Sequence, residues 1–201
     1  MITDSIFHSY SLDLCDDGRA ERVQEEGVGV GGWSEITSTV CPIARSSAVI
    51  GDRWTLVIMR ELSMGNRRFD SLQAQTLASP QMLTNRLKRL EADGMLERRA
   101  YSERPRRYEY HLTDKGEAFA PVLLALRAWG ETWCKEPGEE VAVRQIHTAC
   151  GREVGLSGTV CEGCGKPFTM NDVTGELSAA FAQEREDRST AASRAVETRP
   201  T

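Results

Sequence analysis

The segment 79–113 constrains the fold of this 201-residue chain most, because it predicts a helix followed at once by a hairpin. Ser79 followed by Pro80 places a capping side chain before a proline at the first helical position, which is a strong helix start. At about 100° per residue, three leucines share one face of this helix and are expected in the core. They are Leu83, Leu87 and Leu90.

The opposite face of the helix carries side chains that recognise base edges in a DNA major groove. Asn and Gln pair with adenine, and Arg and Lys pair with guanine. Together with the cap and a flanking threonine, the candidate DNA-binding residues of this helix are Ser79, Gln81, Thr84, Asn85, Lys88 and Arg89. A solvated helix face is the alternative interpretation, since charge runs are usually exposed.

Two runs of strand-forming residues follow, 95–101 and 107–113, separated by a polar turn. They predict a two-stranded ribbon with an arginine-rich tip. Cationic side chains on such a tip contact phosphates, which adds affinity without sequence information. The candidate phosphate contacts are Arg104, Arg106 and Arg107. An ordinary charged hairpin is the alternative.

The elements around this segment complete a recognisable order. A short helix from Pro42 to about Ile50, a helix capped by Asp52 and a third short helix from Phe69 precede it. A short helix, a turn, a capped helix with a polar outer face and a basic hairpin form a winged helix-turn-helix. The predicted fold class is therefore mainly α with a small β-hairpin (α+β).

One last helix is predicted from Thr113 to about Trp133, with a wide apolar stripe. The stripe consists of Phe119, Val122, Leu126, Trp129 and Trp133. A domain this small has little surface with which to cover it, and large apolar patches usually mark partners. We expect a homodimer through this helix, with packing on the chain's own core as the alternative.

The charge is unevenly distributed along the chain. Residues 1–38 hold 2 basic and 8 acidic residues, residues 39–134 hold 15 and 11, and residues 135–201 hold 8 and 11. The middle alone is basic, which suits a polyanionic partner. The first segment predicts a flexible acidic arm, and residues 173–201 predict a polar, mobile tail.

Several function classes are disfavoured by what the chain lacks. It has no apolar run of about 20 residues and no secretory signal, so we expect a cytoplasmic protein without a membrane partner. It has no nucleophile elbow, dinucleotide-binding fingerprint, P-loop or zinc-protease motif, so we do not expect an enzyme.

Two short knuckles near the C-terminus have the spacing of metal ligands. His147 and Cys150 form H-x2-C, and Cys161 and Cys164 form C-x2-C. Three thiolates and one imidazole complete a tetrahedral structural zinc site with no open position for a substrate. A thiol-containing loop without metal and a redox C-x2-C pair are the alternatives. Because so short a segment buries little apolar surface, chelation is expected to unfold residues 145–172, while the winged helix keeps its own core and much of its DNA affinity.

Four segments together resemble the HxlR-type winged-helix transcriptional regulators. They are 41–62 (Cys-Pro-Ile through Arg-Glu-Leu), 68–72 (Arg-Phe-Asp-Ser-Leu), 83–98 (Leu-Thr-Asn-Arg-Leu through Glu-Arg) and 108–116 (Tyr-Glu-Tyr-His-Leu-Thr-Asp-Lys-Gly). The resemblance implies a homodimeric bacterial regulator, related to MarR proteins, that binds a pseudo-palindromic operator. It also implies a recognition helix at 79–93, a wing at 95–112 and a small zinc ribbon at 145–172.

Cys41 lies at the start of the first helix, where the positive end of the helix dipole favours a thiolate. Some proteins of the resembled type sense oxidants or electrophiles through a cysteine there, and Cys41 is therefore a candidate redox sensor. A small residue against a partner subunit is the alternative.

The sequence thus predicts a flexible arm at 1–38, a DNA-binding and dimerisation domain at 39–134, a zinc-ribbon-like module at 145–172 and a tail at 173–201. The predicted function is a sequence-specific, redox- or electrophile-responsive regulator of transcription. The alternative is a zinc-stabilised protein-interaction adaptor that does not read DNA.

Overall fold

The structure is a computed structural model that describes residues 39–155 and 160–197. The predicted acidic arm, 1–38, lies outside the described residues. The elements in chain order are α1 (Pro42–Ile50), α2 (Arg53–Ser63), α3 (Phe69–Thr76), α4 (Pro80–Ala92), β1 (Leu96–Glu103), β2 (Arg106–Leu112), α5 (Asp114–Glu117), α6 (Ala120–Trp133), β3 (Val143–His147), a 3₁₀ turn (Met170–Asp172), β4 (Val173–Leu177) and α7 (Ala179–Glu197).

The first four helices begin at the residues that the sequence predicts. The Asp52 carboxylate accepts hydrogen bonds from the amides of Trp54 and Thr55 at the start of α2. The Ser79 hydroxyl accepts from the amide of Met82 at the start of α4. These caps satisfy amide groups that a helix leaves without an internal partner, so the predicted starts are confirmed.

The apolar sides of these helices meet in one core. Its most deeply buried members are Ile58, Met59, Leu72, Leu83, Leu87, Leu90 and Leu96. The three leucines of α4 are all present, so the predicted orientation of that helix is confirmed. Its polar face consequently points away from the core.

The wing is a two-stranded antiparallel sheet, in which β1 and β2 pair from Leu96 opposite Leu112 to Glu103 opposite Arg106. The strands extend closer to the tip than the sequence predicted, and only residues 104–105 remain as the turn. An amide of β2 also bonds to the segment before α3, where Tyr110 donates to the carbonyl of Arg67. This contact fixes the wing beside the helix-turn-helix.

The predicted single helix from Thr113 to Trp133 is in fact two helices, α5 and α6. Pro121 explains the break, because its ring lacks an amide hydrogen and collides with the carbonyl four residues earlier, that of Glu117. A new helix start at Ala120 places Pro121 in the first turn, where the missing donor costs nothing.

Within the predicted polar, mobile tail, the described residues 173–197 form a strand and a helix. Val173–Leu177 forms β4, which pairs antiparallel with β3 from Val143 opposite Leu177 to His147 opposite Val173. The ribbon sheet therefore extends beyond the predicted limits of 145–172. After it, α7 runs for 19 residues and packs on α3. The sequence of α7 has few apolar residues, and the helix contacts the domain mainly through polar groups.

Among the described residues, no helix combines the length and the apolar character that crossing a membrane requires.

Candidate nucleic-acid interface and metal centre

The outer face of α4 presents three of the predicted DNA-binding side chains to solvent. Gln81, Asn85 and Lys88 are exposed, and they recur at spacings of four and three residues along one side of the helix. Thr84 is half-buried, and its hydroxyl donates to the carbonyl of Pro80 at 2.7 Å. The face can therefore enter a groove with its amide and ammonium groups free.

Besides Thr84, two predicted members of this set form hydrogen bonds within the chain. The Ser79 hydroxyl is occupied by its capping bond, at 3.3 Å from the amide nitrogen of Met82. Arg89 turns towards α1, where its Nη2 donates to the carbonyl of Ala48 at 2.8 Å. A base contact by Arg89 would require that hydrogen bond to break.

The arginines of the wing tip are exposed and carry little compensating charge. No described carboxylate forms an ion pair with Arg104, Arg106 or Arg107. The guanidinium of Arg106 lies 5.5 Å from the centre of the Tyr108 ring, a cation–π arrangement. Other basic residues of the domain are neutralised, such as Arg86, whose Nη2 lies 2.9 Å from a carboxylate oxygen of Asp52. The tip is therefore a concentration of positive charge with no ion-pair partner among the described residues, at the far end of the hairpin that follows α4.

The four predicted metal ligands come together at one end of the β3–β4 sheet. Their ligand atoms all lie within 4.8 Å of one another. Nδ1 of His147 lies 3.4 Å from Sγ of Cys150 and 3.3 Å from Sγ of Cys164, and the sulfurs of Cys150 and Cys161 are 3.7 Å apart. Bonds of about 2.3 Å to sulfur and about 2.0 Å to nitrogen in a tetrahedron place these ligands about 3.5–3.8 Å apart. The spacing and the donor set therefore fit a zinc ion.

The loops around the ligands favour a deprotonated sulfur at Cys161. Burial raises the pKa of this thiol, but the backbone amides of Cys164 and Gly163 and the neighbouring thiols outweigh burial, so the pKa falls to about 7. Amides directed at a thiolate are also what a metal-bound sulfur requires. Gly151 and Gly165, which follow the second ligand of each knuckle, both have positive φ, so each knuckle closes in a conformation that glycine adopts without strain.

A small apolar cluster supports the metal centre. Cys161, Val154 and Phe168 are buried together, and Leu124 of α6 completes the cluster from the winged-helix side. Arg127, one turn further along α6, donates to the carbonyl of Val143 at 2.7 Å. The ribbon is thus attached to the last helix of the domain by both apolar and polar contacts.

The apolar stripe of α6 divides between the core and the surface. Phe119 is buried in the core of the winged helix, so the structure places it away from the surface on which it was predicted to bind a partner. Val122, Leu126, Trp129 and Trp133 are exposed, with Trp129 at 58% and Trp133 at 69% of their full accessibility. They recur at helical spacing on one side of α6.

Cys41 is exposed and directly precedes α1. Its amide donates to the hydroxyl of Thr39, and its side chain forms no capping hydrogen bond with α1. The neighbouring Val40 and Ile43 are also exposed apolar residues. The candidate redox residue therefore lies within a second apolar surface.

Sequence reasoning missed the residues that join the C-terminal helix to the domain. Glu61 is fully buried in α2, and Arg185 of α7 binds both of its carboxylate oxygens at 2.8 Å. The only local signal was an acidic residue at the end of the mostly apolar run 54–62 of α2. Its partner lies 124 positions away, beyond the reach of any helical spacing.

The helix order, the exposed polar face of α4 and the basic wing define the class of winged helix-turn-helix DNA-binding proteins. Comparison with known proteins agrees. The family model described as HxlR-like helix-turn-helix matches residues 49–137. The uncharacterized HTH-type transcriptional regulator Rv3095 of Mycobacterium tuberculosis is 34% identical over 140 residues, which cover 69% of this chain and 87% of that protein.

Two further relatives are similar. The HTH-type transcriptional regulator YodB of Bacillus subtilis is 36% identical over 106 residues, covering 52% of this chain and 94% of YodB. The crystal structure of PA1607, a candidate transcription factor, matches with a TM-score of 0.56 at 32% identity, covering 72% of this chain and 99% of that one. The chain therefore belongs to the HxlR-like family of helix-turn-helix transcriptional regulators, which are related to MarR proteins.

Proposed function

We propose that this protein binds a pseudo-palindromic operator as a homodimer and regulates transcription there, without catalytic activity. The observation that carries the proposal is the exposed row of Gln81, Asn85 and Lys88 on α4, together with a wing tip whose arginines form no ion pair with a carboxylate of the described residues. The row would read base edges in the major groove, and the tip would bind the adjoining phosphates.

The exposed side of α6 supports the homodimer. Burial of Trp129 and Trp133 would remove more apolar surface from water than burial of any other exposed pair of side chains on this helix. Removing apolar surface from water favours association. A two-fold dimer presents its two recognition helices to half-sites one helical turn apart. The symmetry of the operator would follow from the symmetry of the protein.

The metal centre has a structural role in this proposal. His147, Cys150, Cys161 and Cys164 would hold one zinc ion, which would supply the cross-link that a ribbon with so small an apolar cluster needs. All four positions of the tetrahedron are protein ligands, so no coordination position remains for a substrate.

We further propose that Cys41 makes the regulator responsive to oxidants or electrophiles. Its exposure and its place at the start of α1 support a reactive thiol. Modification there would add bulk beside Val40 and Ile43, and a change at an apolar surface alters how a partner subunit packs.

Selection of duplexes from a random-sequence pool tests the central proposal. The full chain should enrich one motif with two-fold symmetry, whereas the Asn85→Ala variant should enrich a motif with lower information content at matched positions in both halves. Enrichment of no motif by the unaltered protein, with the fold intact by circular dichroism, would contradict sequence-specific binding.

A further inference from the structure

The buried carboxylate of Glu61 is the starting point of this inference. It lies on α2, where a lone charge would be costly, and a buried charge is retained only when it is paired and hydrogen-bonded. Arg185 supplies two parallel bonds of 2.8 Å from α7, Arg60 donates to Oε1 at 2.7 Å and Asn66 donates to Oε2 at 3.2 Å. Burial raises the pKa of Glu61, but these donors outweigh burial and lower it overall.

A second set of bonds joins α7 to α3, the helix that leads into α4. The side-chain amide of Gln75 donates to the carbonyl of Arg185 at 2.9 Å and to the hydroxyl of Ser189 at 3.0 Å. In return, Arg188 donates to the carbonyl of Gln75 at 3.1 Å. That carbonyl belongs to the last turn of α3, where carbonyls lack a partner within the helix. Thus α7 binds α2 and the C-terminal turn of α3 at once.

The ribbon fixes the N-terminal end of α7. β4 ends at Leu177, and α7 begins at Ala179, so a single residue separates the metal-binding sheet from the helix. That residue, Ser178, donates its amide to the carbonyl of Ala142 and accepts from the amide of Phe181 with its hydroxyl. The direction of α7 is therefore set by the β3–β4 sheet, whose end carries the ligand His147.

We propose that α7 is a clamp that positions the helix-turn-helix and makes its DNA affinity depend on the metal-loaded ribbon. Arg185 is the positioning residue, because its guanidinium donates to Glu61 and its carbonyl accepts from the side chain of Gln75. The inference rests on the proposed function, because it assigns a form of regulation to the same DNA-binding surface. The polar face of α4 that is proposed to bind the bases stays exposed. The clamp therefore acts by fixing α3 against α2, and α7 does not cover the DNA-binding surface.

Loss of the metal has a defined consequence in this arrangement. The ribbon unfolds, and β4 no longer sets the direction of α7. The helix is then tethered freely, so its effective concentration at Glu61 and Gln75 falls. The buried carboxylate then loses its bidentate partner. This differs from the sequence-based expectation that, on chelation, the winged helix keeps its own core and much of its DNA affinity.

The test measures operator affinity with and without a zinc chelator in three full-length proteins. They are the unaltered chain, a clamp variant carrying Glu61→Gln with Arg185→Ala, and the control Glu186→Ala, which changes an exposed neighbour on the same helix. The paired substitution removes both charges and so avoids an unpaired buried carboxylate. We expect the clamp variant to bind the selected operator about tenfold more weakly, within the usual range of coupling between sites, while retaining the unaltered zinc content.

Chelation distinguishes a clamp from a general loss of stability. It should weaken operator binding of the unaltered chain and of Glu186→Ala about tenfold and should scarcely change the already weakened clamp variant. Equal weakening of all three proteins by chelation, wild-type affinity in the clamp variant, or purified protein without metal would each overturn the proposal.

Hydrogen exchange separates failure of the clamp from failure of the proposed function. Amides of α3 and of the start of α4 should exchange faster in the clamp variant and in the chelated unaltered protein, whether or not DNA is bound. If the unaltered chain selects no duplex but exchange rises in both cases, the proposed function fails and the clamp stands. Unchanged exchange in both cases overturns the clamp regardless of DNA binding.

Discussion

At the scale of single residues, the distinction that matters is between side chains with a partner in the chain and side chains without one. Asn85 is exposed on α4. Arg89 donates to the carbonyl of Ala48, and Ser79 is occupied in capping the helix. A side chain that is already hydrogen-bonded must break that bond before it binds DNA. The net gain in binding free energy from Arg89 is therefore smaller than that from Asn85.

Asn85→Ala should reduce discrimination between the operator and random duplex by about 1–3 kcal/mol, because a bidentate contact to a base is lost. Arg89→Ala should reduce it by less, since binding by Arg89 must first break its bond to Ala48. Competition titrations against both duplexes measure the two effects. Equal loss of affinity for operator and random DNA in Asn85→Ala would show that this side chain contacts only the backbone.

At the scale of elements, sequence patterns predicted well what depends on neighbouring residues. The caps of α2 and α4, the core leucines and the antiparallel wing all follow from local spacing. The break before α6 was predictable from Pro121, but the continuous apolar spacing obscured it. The clustering of the four candidate metal ligands was predictable because knuckle spacing is itself local.

The C-terminal helix was not predictable by the same means. Apolar content is a poor guide to α7, because Arg185 and Arg188 bind it to the domain through charged and polar groups. The clamp also requires the ribbon to bring residues more than 100 positions apart together. No local periodicity records such a contact.

The wing should contribute affinity and little specificity. Replacing Arg104, Arg106 and Arg107 by alanine should weaken binding to all duplexes alike, and the slope of log affinity against log salt should become shallower by about 2.7, since each lost phosphate contact contributes about 0.9. Fluorescence anisotropy across a salt series measures the slope. The exposed cation Lys166, changed to alanine, is the matched control. A slope unaltered in the triple variant would remove the wing tip from the interface.

The α6 surface should control the assembly state. Trp129→Glu places a charge on the exposed apolar side of α6 and should convert the dimer to a monomer, because burying an unpaired carboxylate is costly. Sedimentation equilibrium measures the mass. Tyr101→Glu, an exposed aromatic position on the wing, should leave the dimer intact. A dimer that persists in Trp129→Glu would place the interface elsewhere.

At the scale of the whole molecule, the ribbon contacts the last helix of the winged-helix domain and is joined through α7 to the second and third helices. Leu124 and Arg127 attach it to α6, and α7 carries it back to α2 and α3. The residues proposed for metal binding, dimerisation and DNA reading therefore lie on adjoining parts of one unit. These three sets of residues do not overlap, so each set can be substituted without changing a residue of the others.

Elemental analysis should find one zinc ion per chain in protein purified without chelator. Cys161→Ser should lower this content and make residues 145–172 sensitive to proteolysis, since the fold of so small a segment depends on its metal. Cys134→Ser changes an exposed cysteine outside the cluster and should retain the metal. A zinc content near zero in the unaltered protein, with the segment still protected, would show that the ribbon folds without metal.

The most direct test of the central claim is a hydroxyl-radical footprint of the full chain on the selected operator, together with the number of chains bound per duplex. A dimer that reads DNA with α4 should protect two half-sites whose centres are about 10 base pairs apart, with two chains on each duplex. One protected region occupied by a single chain would contradict the dimeric account. Uniform protection along the duplex would contradict sequence-specific recognition.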